Sequence, residues 1–143
     1  MSKVSLDLVI SGRRPSSLSA WLIKETIKKT LKSLKINSAV LGLAFLPESK
    51  MAEKNKTYRR KKGPTDVLSF AYPKPRGVKI LNGDILICPS YATHQAKQEG
   101  MAVKEELERL LIHGLLHLAG YDHVVPVQAK RMLGLQEKIL RSI

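Results

Sequence analysis

Cysteine is nearly absent from this sequence: Cys88 is the only one among 143 residues, which excludes an internal disulfide and fits a reducing, cytoplasmic setting. It closes the apolar run Ile85 to Cys88, where it reads as a small buried hydrophobe. Acidic residues are scarce as well. Twelve Asp and Glu stand against 25 Lys and Arg, a formal charge of +13 that a neutral small-molecule substrate does not call for. A polyanionic partner, nucleic acid first, explains it best, and a basic surface that only aids solubility is the plainer alternative. No run of 18 apolar residues exists, so no membrane-spanning helix is expected, and Met1 to Ser5 passes straight into an alternating pattern. The chain therefore reads as soluble and unexported. Internal repeats, low-complexity tracts and interdomain linkers are also lacking. Residues 1–143 are expected to form a single domain, large enough to bury a core without disulfides or metal staples.

The elements alternate in type. Val4, Leu6, Leu8 and Ile10 have the period of a strand buried on one face, and Gly12 to Pro15 ends it. Ser16 or Ser17 is placed to cap a helix reaching about Lys35, with Ala20, Ile23, Ile27, Leu31 and Leu34 inward and Lys24, Lys28, Lys32 and Lys35 outward. Those lysines solvate the helix first and contact RNA second. Ala39 to Leu46 reads as a central strand buried on both faces. Pro47 and Glu48 open a short helix, Thr65 to Tyr72 is β-rich, Val78 to Leu81 extends the pairing, and Asn82-Gly83 reads as a hairpin turn before a strand from Asp84. Helices follow from Pro89, from Val103 and from Gln128. These alternations predict an α/β (α+β) layer structure, a four-stranded sheet with several helices packed on it.

The most informative stretch is His113 to His123. Residues four apart share a helix face, so His113 and His117 present two imidazoles to one point. Gly120 is suited to end that helix in a left-handed conformation and bring His123 to the same place. Three of the chain's four histidines lie in these eleven residues, a pattern hard to obtain from packing alone; His94 has no metal-spaced neighbour. Neutral imidazole suits Zn²⁺, and three protein ligands leave a fourth tetrahedral position open, the arrangement of catalytic zinc. The surrounding residues are apolar on every side, which predicts a central, buried metal-bearing helix. The spacing is also that of the long zinc-peptidase signature, except that Gly114 stands where the peptidase carries its Glu base.

Residues 50 to 62 hold seven Lys or Arg and one acid, the densest charge in the chain. A solvated face is the default reading of such a run. Tyr58, however, offers an aromatic face among cations, with Arg60, Lys61 and Lys62 as phosphate contacts. Arg59 adds a planar fork that matches phosphate.

The histidine stretch resembles the signature of the YbeY family of bacterial metal-dependent endoribonucleases. Two further stretches carry the resemblance: Asn55 with Tyr58-Arg59 and Pro64 to Phe70, and Gly83-Asp84-Ile85. It covers roughly residues 40 to 140. The chain departs from the family pattern at Ala71, in Val124 to Val127, and at Gln136, where Glu is expected; these changes bear on partner contacts of the C-terminal segment. The resemblance implies a mixed sheet with one antiparallel strand, a functional arginine at Arg59, and ribosomal RNA as substrate. It further implies 3′-end maturation of small-subunit rRNA, ribosome quality control, and the small ribosomal subunit, ribosomal proteins or an Era-type GTPase as partners.

The expected activity is thus a zinc-dependent, single-strand-specific endoribonuclease. His113, His117 and His123 hold one Zn²⁺, Arg59 and His113 are the catalytic candidates, and Asp122 is either a base or a support for a ligand histidine. Two other readings stand beside it. A non-catalytic, zinc-braced RNA-binding assembly factor explains the charge equally well, and a zinc peptidase shares the ligand spacing.

Overall fold

The computed structural model describes residues 3–122 and 124–143. Its first strand, β1 (Ser5–Gly12), keeps the alternation read from the sequence, with Leu6, Leu8 and Ile10 turned toward the core and Val9 65% exposed on the other side. Helix α1 (Ala20–Ser33) begins later than expected. Ser19, not Ser16 or Ser17, is its cap, and the Ser19 hydroxyl accepts from the Leu22 amide at 3.1 Å. The delay has a local cause: Leu18 N–H bonds back to the Pro15 carbonyl and the Arg14 guanidinium donates to the Leu18 carbonyl at 2.8 Å, so residues 15–18 form a turn of their own. Leu22, Ile23, Ile27 and Leu31 form the buried stripe.

Strand β2 (Ser38–Phe45) runs parallel to β1, and β4 (Leu81–Ile87) runs parallel to β2 on its other side. Between them in sequence lie helix α2 (Glu48–Arg59) and strand β3 (Val67–Ala71), which pairs antiparallel with β4 at the sheet edge. The sheet order is β1-β2-β4-β3, a mixed sheet with one antiparallel strand. Two sequence expectations are corrected here. β2 is not buried on both faces: Ala39, Leu41, Leu43 and Phe45 are covered, whereas Val40 is 43% exposed, because the long helices pack on one face only. Asn82-Gly83 is not a turn either. Both residues lie inside β4, opposite Val40 and Leu41, and the chain reverses instead through residues 72 to 80, exposed as far as Lys79, where Gly77 has φ +83°, so Val78 to Ile80 add no strand pairing. Gly83 is required for a different reason, since a Cβ there would come within 2.4 Å of the Phe70 carbonyl and 2.6 Å of the Leu118 side chain. Asp84 points to the opposite face, where Tyr72 donates a hydrogen bond to its carboxylate; that bond raises the Tyr72 pKa above its ordinary value.

Helices α3 (Pro89–Gln98), α4 (Val103–Leu118) and α5 (Pro126–Arg141) complete the chain. α4 lies across β3 and β4 with α1, α3 and α5 around it, and its Leu107, Leu111, Ile112, Leu115 and Leu116 are fully buried. Burying five such side chains contributes on the order of 10 kcal/mol before conformational entropy is counted. α5 closes against α4 through Met132 and Ile139, starting two residues earlier than its apolar pattern suggests because Pro126 and Val127 fit a first helical turn. Among the described residues, no helix is long and apolar enough to cross a membrane.

Candidate functional site

A cleft of about 610 Å³ opens between α4, β3 and the C-terminal end of α2. Its floor is His113, His117 and Leu118 of α4 with Ser69 and Ala71 of β3, and its rim is Tyr58, Arg59, Lys61, Thr65 and Asp66. The two walls are built differently. α4 is fixed by its own packing: a Cβ at Gly114 would approach Ile85 Cγ2 to 2.9 Å and Ser69 Oγ to 3.1 Å, so only glycine lets the helix sit this deep on the sheet. Ser69 then donates to the Gly114 carbonyl at 3.3 Å. Residue 114 therefore faces the sheet and not the cleft, and a carboxylate there, as in the peptidase pattern, would have no room.

His113 and His117 stand one turn apart, half-buried, with their Nε2 atoms 3.1 Å from each other. Two nitrogens sharing one tetrahedral Zn²⁺ at about 2.0–2.1 Å lie about 3.3 Å apart, so this pair has ligand spacing. A second contact fixes which nitrogen faces the cleft. Gln136, 4% exposed on α5, places its Oε1 2.7 Å from His113 Nδ1. Its amide nitrogen is occupied in donating to Glu137 Oε2 at 3.3 Å, and Glu137 in turn takes two bonds from Arg109, at 2.9 and 3.1 Å. Those bonds hold the Glu137 carboxyl below the ordinary range and keep it an acceptor. The Gln136 oxygen must therefore accept, His113 Nδ1 carries the hydrogen, and the Nε2 lone pair is presented to the cleft. A glutamine thus performs the orienting task with a neutral acceptor. It was visible in the sequence only as a departure from the family pattern, since nothing local ties residue 136 to residue 113.

Helix α4 ends as its sequence suggests. Gly120 takes φ +100°, its N–H bonds to the His117 carbonyl at 3.0 Å, and Tyr121 N–H bonds to the Leu116 carbonyl at 3.0 Å, which turns the chain back toward α5. The third expected ligand, His123, lies outside the described residues, and among the described residues no third His, Cys, Asp or Glu joins the pair. Asp122 is exposed, lies outside the cleft, and accepts the Val124 N–H at 2.9 Å.

The second wall is exposed and cationic. Tyr58 and Arg59 end α2, and Arg60 follows in a left-handed conformation with φ +55°. Tyr58 meets Phe70 edge-on at 5.0 Å and carries Lys54 Nζ over its ring at 5.7 Å from the centroid, while 59% of its surface stays exposed at the rim. The loop that follows is anchored by Asn55, which is buried and donates to the Gly63 carbonyl at 2.9 Å. At the end of that loop Asp66 Oδ1 accepts from the Val67 N–H at 2.8 Å and from the Thr65 hydroxyl at 3.4 Å. Of the expected nucleic-acid contacts, Tyr58 and Lys61 line the cleft beside Arg59, whereas Arg60 and Lys62 point elsewhere on the exposed loop. The site thus sets a nitrogen pair of ligand spacing across an open cleft from a guanidinium, an arrangement suited to an anionic substrate.

The chain is similar to known proteins over most of its length. Residues 14–143 match the family model described as Endoribonuclease YbeY. A protein named Endoribonuclease YbeY from Persephonella marina is 40% identical over 100% of this chain and 94% of its own length. Its namesake from a Sulfurihydrogenibium strain is 41% identical over 85% of this chain and 81% of its own. A solution structure of a protein from Thermotoga maritima superposes with a TM-score of 0.68 at 30% identity, covering 93% of this chain and 86% of that one.

Proposed function

This chain belongs to the YbeY family of endoribonucleases, and from that premise we propose that it hydrolyses phosphodiester bonds inside single-stranded RNA, with ribosomal RNA precursors as substrate and one Zn²⁺ as cofactor. The observation that carries the metal assignment is the 3.1 Å separation of the two Nε2 atoms, with the Gln136 oxygen forcing the His113 lone pair into the cleft. His113 and His117 would hold the ion together with His123, and when bound it supplies a Lewis acid and lowers the pKa of water to about 7.

The chain's own residues divide the remaining work. Arg59 lies on the rim opposite the histidines and offers a planar fork of donors, so it orients the phosphate and stabilises the charge that grows on its oxygens during displacement. Tyr58 gives a base a ring face, and Lys61 with its neighbours Arg60 and Lys62 holds the flanking phosphates. Buried Gln136 prevents His113 from turning when substrate enters. Proteolysis is disfavoured, because position 114 faces Ile85 and cannot supply the peptidase base. The small ribosomal subunit is the partner this substrate implies, and ribosome quality control is the wider role.

The test is incubation of metal-replete protein with a ribosomal RNA precursor and, separately, with casein. Internal cuts in the RNA and intact casein are expected. Retention of both substrates whole would favour the non-catalytic assembly factor.

A further inference from the structure

We propose that the solvent face of α1 is a second landing surface for the substrate, a stacking-and-phosphate track for single-stranded RNA remote from the cleft. The inference rests on the endoribonuclease reading and adds a contact surface that reading does not require. Trp21, the chain's only tryptophan, sits on α1 with 69% of its surface exposed, and among the described residues it has no ring or cation stacked on it. An indole left bare is unusual for a residue with so much apolar surface. Lys24, Lys28 and Lys32 follow at helical spacing on the same face, spanning with Trp21 about 16 Å of helix.

This line of like charges is not neutralised within the protein. Among the described residues, the ion pairs converge on Arg109, and none reaches Lys24, Lys28 or Lys32. Positive charges four residues apart oppose helix formation by a few tenths of a kcal/mol per pair. The track continues into a groove of about 560 Å³ lined by Lys28, Lys29, Lys32 and Lys35, with Glu25 its one acid. Lys35 occupies the left-handed position that ends α1, at φ +57°, where glycine would be relaxed and a side chain is strained. An exposed aromatic, an unpaired cationic line and a lysine kept at a strained position are together complementary to stacked bases on a polyanion.

The placement suits a substrate flank. α4 packs against β3 and β4, and α1 packs beside α4 on the side away from the cleft lining, none of whose residues belongs to α1. An RNA cut in the cleft can reach α1 only with nucleotides beyond the scissile bond.

The single indole is its own reporter. Zinc-loaded protein is mixed by stopped flow, before turnover, with a single-stranded oligouridylate of about 12 nucleotides. Quenching of Trp21 emission is expected. The variant Lys24→Gln/Lys28→Gln/Lys32→Gln should bind about tenfold more weakly near 0.1 M salt, with a salt slope lower by about two, and its single-turnover cleavage at saturating enzyme should stay within about twofold of wild type. RNA that is bound and cleaved normally with silent indole emission overturns the proposal, as does an unchanged salt slope in the variant. An emission shift on vesicles of phosphatidylserine and phosphatidylcholine with no response to RNA would assign this face to a lipid surface and overturn it too. Wild-type protein that cuts no RNA would refute the endoribonuclease reading itself, a result distinct from uncoupled quenching.

Discussion

The two walls of the cleft differ in what holds them. The α4 wall is fixed by buried groups: Gly114 against Ile85, His113 by Gln136, and the helix by its five fully buried aliphatic side chains. On the α2 wall Tyr58, Arg59, Arg60, Lys61 and Lys62 are all exposed, and the buried Asn55 is the main brace of their loop. A metal site needs ligands held to a fraction of an ångström, while a flexible polyanion is bound well by mobile cations. The contrast fits the proposed division of labour, with chemistry on the packed wall and capture on the charged one. Arg59 is the exception, an exposed residue assigned a chemical role.

That exception gives the largest expected effect. Arg59→Lys keeps the charge and loses the fork, so single-turnover cleavage should fall by on the order of a hundredfold, about 2.7 kcal/mol, with RNA affinity changed little. A rate within about threefold of wild type would return Arg59 to the capture set. On the packed wall, Gln136→Leu removes the acceptor that fixes the His113 ring. Zinc affinity, measured by competition with a chromophoric chelator, should drop about 10- to 100-fold; an unchanged affinity would show that the ring is held by packing alone.

Gly114→Ala tests the seat of α4 and not its chemistry. Its Cβ would meet Ile85 Cγ2 at 2.9 Å, so a loss of about 1–3 kcal/mol in denaturant unfolding is expected, and no loss would mean that the helix lifts off the sheet easily. The smallest effect belongs to the charged wall. Replacing Arg60, Lys61 and Lys62 with Gln should weaken RNA binding about tenfold near 0.1 M salt and flatten its salt dependence, leaving cleavage at saturation nearly intact. A comparable fall in the saturated rate would break the proposed division between the walls.

The same contrast explains what could be read from the sequence. The α4 wall was legible because helical spacing is local: His113 and His117 are four residues apart, and Gly120 adopts the left-handed conformation its position suggests. The four-stranded sheet and the order of helices also follow from alternating periods, whereas the one antiparallel strand was implied by the family resemblance alone. What was hidden depends on contacts between distant residues. Gln136 meets His113 across 23 positions, and nothing near either residue announces it. Asn82-Gly83 is a turn pair by its local chemistry, whereas the glycine answers to Phe70 and Leu118 from other elements. The small residues Gly42 and Ala44 made β2 look buried on both sides, although a run of apolar letters does not say whether a helix covers the second face.

Metal removal tests the division of labour most directly. Protein stripped with a chelator is compared with the same protein after Zn²⁺ is restored, measuring cleavage of a ribosomal RNA precursor and affinity for it side by side. Cleavage should disappear on stripping and return with zinc, while affinity stays within about threefold, under 1 kcal/mol, because capture resides on the cationic wall. Full cleavage by the stripped protein, or affinity lost in step with cleavage, would contradict the account.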